Sequence, residues 1–130
     1  MPAPIAAYWI MLVGALMPYV LVVIAKAGKG YDNTDPRNPK TLDTVLKQRA
    51  YGAHANALEG FPLFAAAVLL AGFRHAPAGL VDALAWLWLA ARIAYSACYL
   101  AGYGTPRSLT WVVAAGASIA ILVTAILRGS

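Results

Sequence analysis

The sequence predicts an all-α integral membrane protein, a single domain over residues 1–130 folded as a four-helix up-down bundle. Three observations predict it. Of the 130 residues, 62% are hydrophobic and only 12% are charged, a balance that excludes an ordinary soluble domain and fits the membrane class. Four apolar blocks stand at about 5–25, 53–73, 79–100 and 109–127, each close to the ~20 residues a helix needs to cross ~30 Å of hydrocarbon. Little chain is left between them, and short connections make consecutive helices antiparallel neighbours. With polar flanks included, the expected helices cover about 5–25, 50–73, 79–100 and 108–127, with one loop of substance at 26–49.

The first helix opens on "MPAPIAAYW", which has no basic segment ahead of the apolar run. That run is too long for a leader's hydrophobic region, so it reads as a retained span, although "AKA" at 25–27 imitates a small-x-small cleavage site. Tyr8 and Trp9 stand where an interfacial aromatic belt would be. The loop that follows, "KAGKGYDNTDPRNPKTLDTVLKQ", is broken by Gly28, Gly30, Pro36 and Pro39. Asn38-Pro39 followed by Thr41 predicts a short helical stretch leading into helix 2. The second connection, "RHAPAG", is brief, and His75 and Asp82 beside it read as loop and helix-start residues. The third, "AGYGTPRS", is a tight turn in which Ser108 is the expected N-cap of helix 4. Gly116 and Ala120 in that helix have the small-xxx-small spacing that lets helices approach closely.

The formal net charge is +5, but its distribution argues against nucleic acid as a partner. Lys26, Lys29, Arg37, Lys40, Lys47 and Arg49 lie in or beside the first loop, and Arg107 lies in the third. Arg74 and Arg128 stand at the opposite end. The positive-inside rule then makes the first and third loops cytoplasmic and both termini external. The one cysteine, Cys98, excludes an internal disulfide and a cysteine metal cluster, and reads as small apolar packing.

Polar residues interrupt the apolar pattern at one depth. At 100° per residue, Arg49, Asn56 and Glu59 share a sector of roughly 80° on helix 2, with His54 about 140° away from Glu59. Arg92, Tyr95 and Tyr99 share one face of helix 3, and Arg107 begins helix 4 at the same level. A charge inside the bilayer costs at least ~2.5 kcal/mol, so such residues have a use. One reading is structural, with Glu59 and Arg92 paired and Asn56 bonded between helices. The other is functional. Three arginines against one acid, beside phenols, suit an anionic ligand with carboxylates, which guanidinium grips bidentately. No Cys, His or Asp stands at ligand spacing from His54, so it reads as a packed or hydrogen-bonded histidine with no metal. Tyr103 reads as an interfacial aromatic.

"RAYGAHANALEGFPLF" and "RIAYSACYLAGYGTPRS" together resemble the MAPEG family, the membrane-associated proteins of eicosanoid and glutathione metabolism. The helix 2 core Ala-His-x-Asn-x-x-Glu is the more specific signal. Arg-x-x-Tyr-x-x-x-Tyr in helix 3 with Arg107-Ser108 ahead of helix 4 is a second, and the likeness covers nearly the whole chain. The resemblance implies a homotrimer in a membrane, of prokaryotic type and in the bacterial inner membrane, with glutathione as co-substrate held between adjacent subunits. It implies that Arg49, Asn56, Glu59, Arg92, Tyr95 and Tyr99 bind glutathione, with Lys26 a weaker candidate, and that Arg107, with Ser108 beside it, stabilises the glutathione thiolate. The activity implied is a transferase or peroxidase acting on lipophilic electrophiles that enter from the surrounding membrane lipids. The chain departs from the family at Gly52, where its enzymes commonly carry a basic residue, at Ala55, where some carry another, and at Ala57, often an acid. Two further readings stand beside this one: a catalytically silent membrane scaffold of the same type, and a small four-helix transporter using Glu59.

Overall fold

The computed structural model describes residues 2–28 and 30–130. Lys29, counted above among the first-loop cations, lies outside the described residues. The chain forms α1 (Ile5–Lys26), a single 3₁₀ turn (Pro39–Thr41), α2 (Val45–Phe73), α3 (Ala78–Ala101) and α4 (Gly104–Arg128). Each of the four α-helices is long and apolar enough to cross a membrane. α1 packs along α2 and α3 along α4, with α2 also touching α3 and α4.

Two helices start earlier than their apolar blocks. α2 begins at Val45, because the Thr44 hydroxyl accepts the Lys47 N–H at 3.1 Å and caps the helix there. Its 29 residues exceed the ~20 that a bilayer span needs. The expected cap at Ser108 is also corrected. α4 begins at Gly104 and tolerates Pro106, since the first-turn N–H groups have no intrahelical acceptor to lose. Ser108 lies inside the helix, and its hydroxyl donates to the Gly104 carbonyl at 3.2 Å. The short stretch expected near Thr41 is present as the 3₁₀ turn, with Asn38 accepting the Lys40 N–H at 3.0 Å.

The connections close on backbone geometry. Gly102 adopts φ 84°, and the Tyr103 and Gly102 N–H groups donate to the Cys98 and Tyr99 carbonyls, a Schellman ending for α3. His75 adopts the left-handed conformation after α2 in the same manner. Two side chains tie ends that are distant in sequence. Asp82, inside α3, accepts the Ala7 N–H at 2.9 Å and so caps α1, which has no cap of its own. Arg74 donates to the Ala125 carbonyl at 2.7 Å and to those of Ile126 and Gly129, neutralising the C-terminal end of α4. The core between them is built on Phe64, Val68, Val81 and Ile121, all fully buried, with the Trp88 ring stacked on Phe64 at 3.8 Å.

Candidate functional site

α2, α3 and α4 enclose a cavity of about 170 Å³. Asn56 and Glu59 line it from α2 and Arg92 from α3, and its apolar walls include Leu63, Trp88 and Trp111. Arg92 is 3% exposed. One of its terminal nitrogens, Nη2, and the Asn56 Oδ1 are buried without a hydrogen-bond partner, as is the Ser96 hydroxyl one turn further along α3. Each such orphan costs about 1–3 kcal/mol in the absence of a partner. Glu59 is exposed on the outer side of α2 and forms no ion pair or hydrogen bond among the described residues. The structural pairing of Glu59 with Arg92 is therefore not formed. Both line the cavity with their charges unmatched, a donor at one wall and an acceptor at the other.

From this cavity a series of ring and cation contacts runs along α3 to the start of α4. The Arg92 guanidinium carbon lies 4.5 Å from the Tyr95 ring centre, Tyr95 meets Tyr99 edge-on at 5.9 Å, and the Arg107 guanidinium lies 4.9 Å over Tyr99. Contacts of this kind contribute ~0.5–2 kcal/mol each, more when desolvated, and they fix the direction of both guanidinium groups. Helical spacing explains the row, since positions 92, 95 and 99 fall on one face.

The remaining site candidates lie elsewhere. Arg49 donates to the Leu100 carbonyl at 3.3 Å and packs against Gly102, closing the C-terminal end of α3. Beside it, the Tyr99 hydroxyl occupies the space that a side chain at Gly52 would fill. Ser108 is exposed and spends its hydroxyl on its own helix. Lys26 lies over the Tyr31 ring at 5.4 Å and lines a different cleft, with Arg37 and Tyr51. His54 Nδ1 lies 2.8 Å from the Pro18 carbonyl; since a carbonyl only accepts, the proton is on Nδ1, as a hydrogen-bonded histidine requires. Tyr103 is exposed, as an interfacial aromatic would be.

Of the expected cluster, then, Asn56, Glu59 and Arg92 share one cavity, Tyr95, Tyr99 and Arg107 extend from it, and Arg49, Ser108 and Lys26 do not reach it. Trp88 and Trp111 line the cavity and are not singled out by the sequence pattern. For Trp88 a signal exists: it stands four positions from Arg92, on the same helical face. The model of the MAPEG family matches residues 6–127, whereas no curated protein and no solved structure matches the chain.

Proposed function

The chain belongs to the MAPEG family, and from that membership we propose that it is a glutathione-dependent transferase or peroxidase acting on lipophilic electrophiles. At the family level it is a membrane protein of glutathione or eicosanoid metabolism. The residues present fit glutathione. A molecule carrying carboxylates, amides and an ammonium group offers acceptors to the orphaned Arg92 Nη2, donors to the Asn56 Oδ1, and a cation to Glu59. The unmatched charges of that one cavity are the observation that carries the reading.

Glutathione supplies the nucleophilic sulfur when bound. In this reading Arg92, Asn56 and Glu59 orient the peptide, and the phenols of Tyr95 and Tyr99 line its course toward Arg107. Arg107 supplies a fixed cation, which lowers the pKa of a nearby thiol and raises its thiolate fraction. Leu63, Trp88 and Trp111 offer an apolar wall for the second substrate, which enters sideways from lipid. Arg49 acts indirectly, by holding the end of α3 that carries Tyr99. Lys26 and Ser108 have no part in this arrangement.

The cavity of about 170 Å³ is well under the ~300 Å³ at which small-molecule pockets begin, and Glu59 faces outward. Both features support completion of the site by an adjacent subunit, in a homotrimer. The first and third loops would be cytoplasmic and both termini external, in a bacterial inner membrane.

The test is calorimetry of glutathione against detergent-purified protein, with Glu59→Gln and Arg107→Ala in parallel. Saturable binding that Glu59→Gln weakens, with a thiolate absorbance that Arg107→Ala abolishes, is the expected result. An absence of binding at millimolar glutathione would overturn the enzyme reading and leave a silent scaffold of the family.

A further inference from the structure

We propose that the cleft between the end of α1 and the first loop is a second binding site, for an anionic phosphate group, and that a phospholipid headgroup is the source its position favours. The cleft measures about 170 Å³ and is lined by Lys26, Pro36, Arg37, Asn38, Pro39 and Tyr51, among others. It is separate from the cavity of Asn56, Glu59 and Arg92. Tyr51 and Asn56 lie about 140° apart around α2 by helical geometry, and the two cavities share no lining residue.

The lining supplies donors and positive charge, and no acid lines it. Arg37 makes no ion pair or hydrogen bond among the described residues, and Lys26 has only the face of Tyr31. The Asn38 amide nitrogen and the Tyr51 hydroxyl likewise donate to no other described group. Two loop carboxylates near the cations are engaged elsewhere. Asp43 is bound by the Lys47 ammonium at 2.9 Å, which holds its carboxyl below the usual carboxylate range. Asp32 accepts the Thr34 N–H at 2.9 Å and its hydroxyl at 2.7 Å. Asp35 does not line the cleft. Four donors without an acceptor among the described residues, two of them cationic, match the oxygens of a phosphate.

The walls are built in advance. Pro36 and Pro39 fix their own φ angles. Between them Asn38 receives the Lys40 N–H on its side chain and the Thr41 hydroxyl on its carbonyl at 2.8 Å. Thr41 is buried beneath the turn. Lys26 is the last residue of the α1 span, so the cleft opens where that helix leaves the hydrocarbon and headgroup phosphates lie. Basic side chains at that level attract anionic lipid.

The experiment is native mass spectrometry of the full chain released from detergent, offered phosphatidylglycerol or phosphatidylcholine at equal concentration. Selective retention of phosphatidylglycerol is expected. Arg37→Gln and Lys26→Gln should each weaken it about fivefold, the contribution of one interfacial cation, while Lys40→Gln, a loop cation outside the cleft, should not. An equal loss in Lys40→Gln would mean diffuse surface attraction and overturn the site. So would displacement of the lipid by glutathione, which would assign the cleft to the glutathione site. Displacement by millimolar inorganic phosphate would keep the phosphate site but make a soluble phosphate its occupant. Retention of both lipids alike, unchanged by either cleft substitution, would leave no site at all.

Discussion

At Gly52 the missing side chain is itself a structural device. The Tyr99 hydroxyl fills the space where a Cβ would stand, so the phenol is seated against α2 while its ring lies under the Arg107 guanidinium at 4.9 Å. From sequence, Gly52 reads as a lost cation; in the fold it is the recess that sets the position of Tyr99. Periodicity puts Tyr99 on the correct face of α3, but no local pattern says that its tip ends in the backbone groove of another helix. Overpacking such a site costs about 1–3 kcal/mol, of which improved helix propensity returns up to about 1. Gly52→Ala should therefore lower thermal stability, and Tyr99→Phe in the same chain should restore most of the loss by removing the clashing oxygen. A double-mutant cycle measures this directly, and a coupling energy near zero would show that the two residues do not touch. The recess also bears on the proposed glutathione site. A bulky residue at 52 would displace Tyr99 from beneath Arg107, so Gly52→Val should weaken glutathione binding more than Ala at the same position.

Helices were legible because, in a chain this short, an apolar run of membrane-spanning length can be little else. Their ends were less so. Thr44 caps α2, and α4 starts at Gly104 ahead of a Pro106 that its first turn tolerates, and all three residues lie outside the apolar blocks that locate the spans. Asp82 shows the same limit more sharply. Its position near the start of α3 suggests a local role, yet its carboxylate serves the first turn of α1, 75 residues earlier in sequence. Only packing brings α1 and α3 together, so no window along the chain reveals that bond. A side chain that satisfies free N–H groups at a helix start contributes about 0.5–2 kcal/mol, and a carboxylate there also opposes the positive end of the dipole. Asp82→Ala should cost about that much in thermal or denaturant unfolding. Asp82→Asn, which keeps the acceptor oxygen and loses the charge, should cost less. Equal losses would assign the effect to charge alone. Arg74 closes the far end of α4 by the complementary logic, with a cation on C-terminal carbonyls.

The whole chain leaves the charges of its cavity half enclosed. Glu59 sits in a span yet is exposed, Trp111 is 47% exposed at the cavity wall, and open space adjoins Gly116 on α4. An unpaired carboxylate facing hydrocarbon costs at least ~2.5 kcal/mol, which a neighbouring subunit or a ligand held at its surface would relieve. The polar faces of α2 and α3 were readable in sequence; what covers the outer side of that cavity is not, because no local pattern along the chain encodes it. If the site lies between adjacent subunits, with Glu59 on one side and Arg107 on the other, two impaired variants should complement each other. Glu59→Gln and Arg107→Ala protomers, tagged differently and co-expressed, would form mixed oligomers. In a closed head-to-tail ring, about a quarter of the interfaces would then join an intact Glu59 to an intact Arg107. At a glutathione concentration too low to saturate Glu59→Gln, thiolate absorbance should return to about that fraction of the unmodified protein, whereas Arg107→Ala alone shows none and Glu59→Gln alone little. If the mixed oligomers stay as silent as their parents while the unmodified protein binds, both residues must act from the same protomer. The row Arg92–Tyr95–Tyr99–Arg107 would then be a complete site within one chain, and the exposed Glu59 would be left for the lipid-facing ligand to cover.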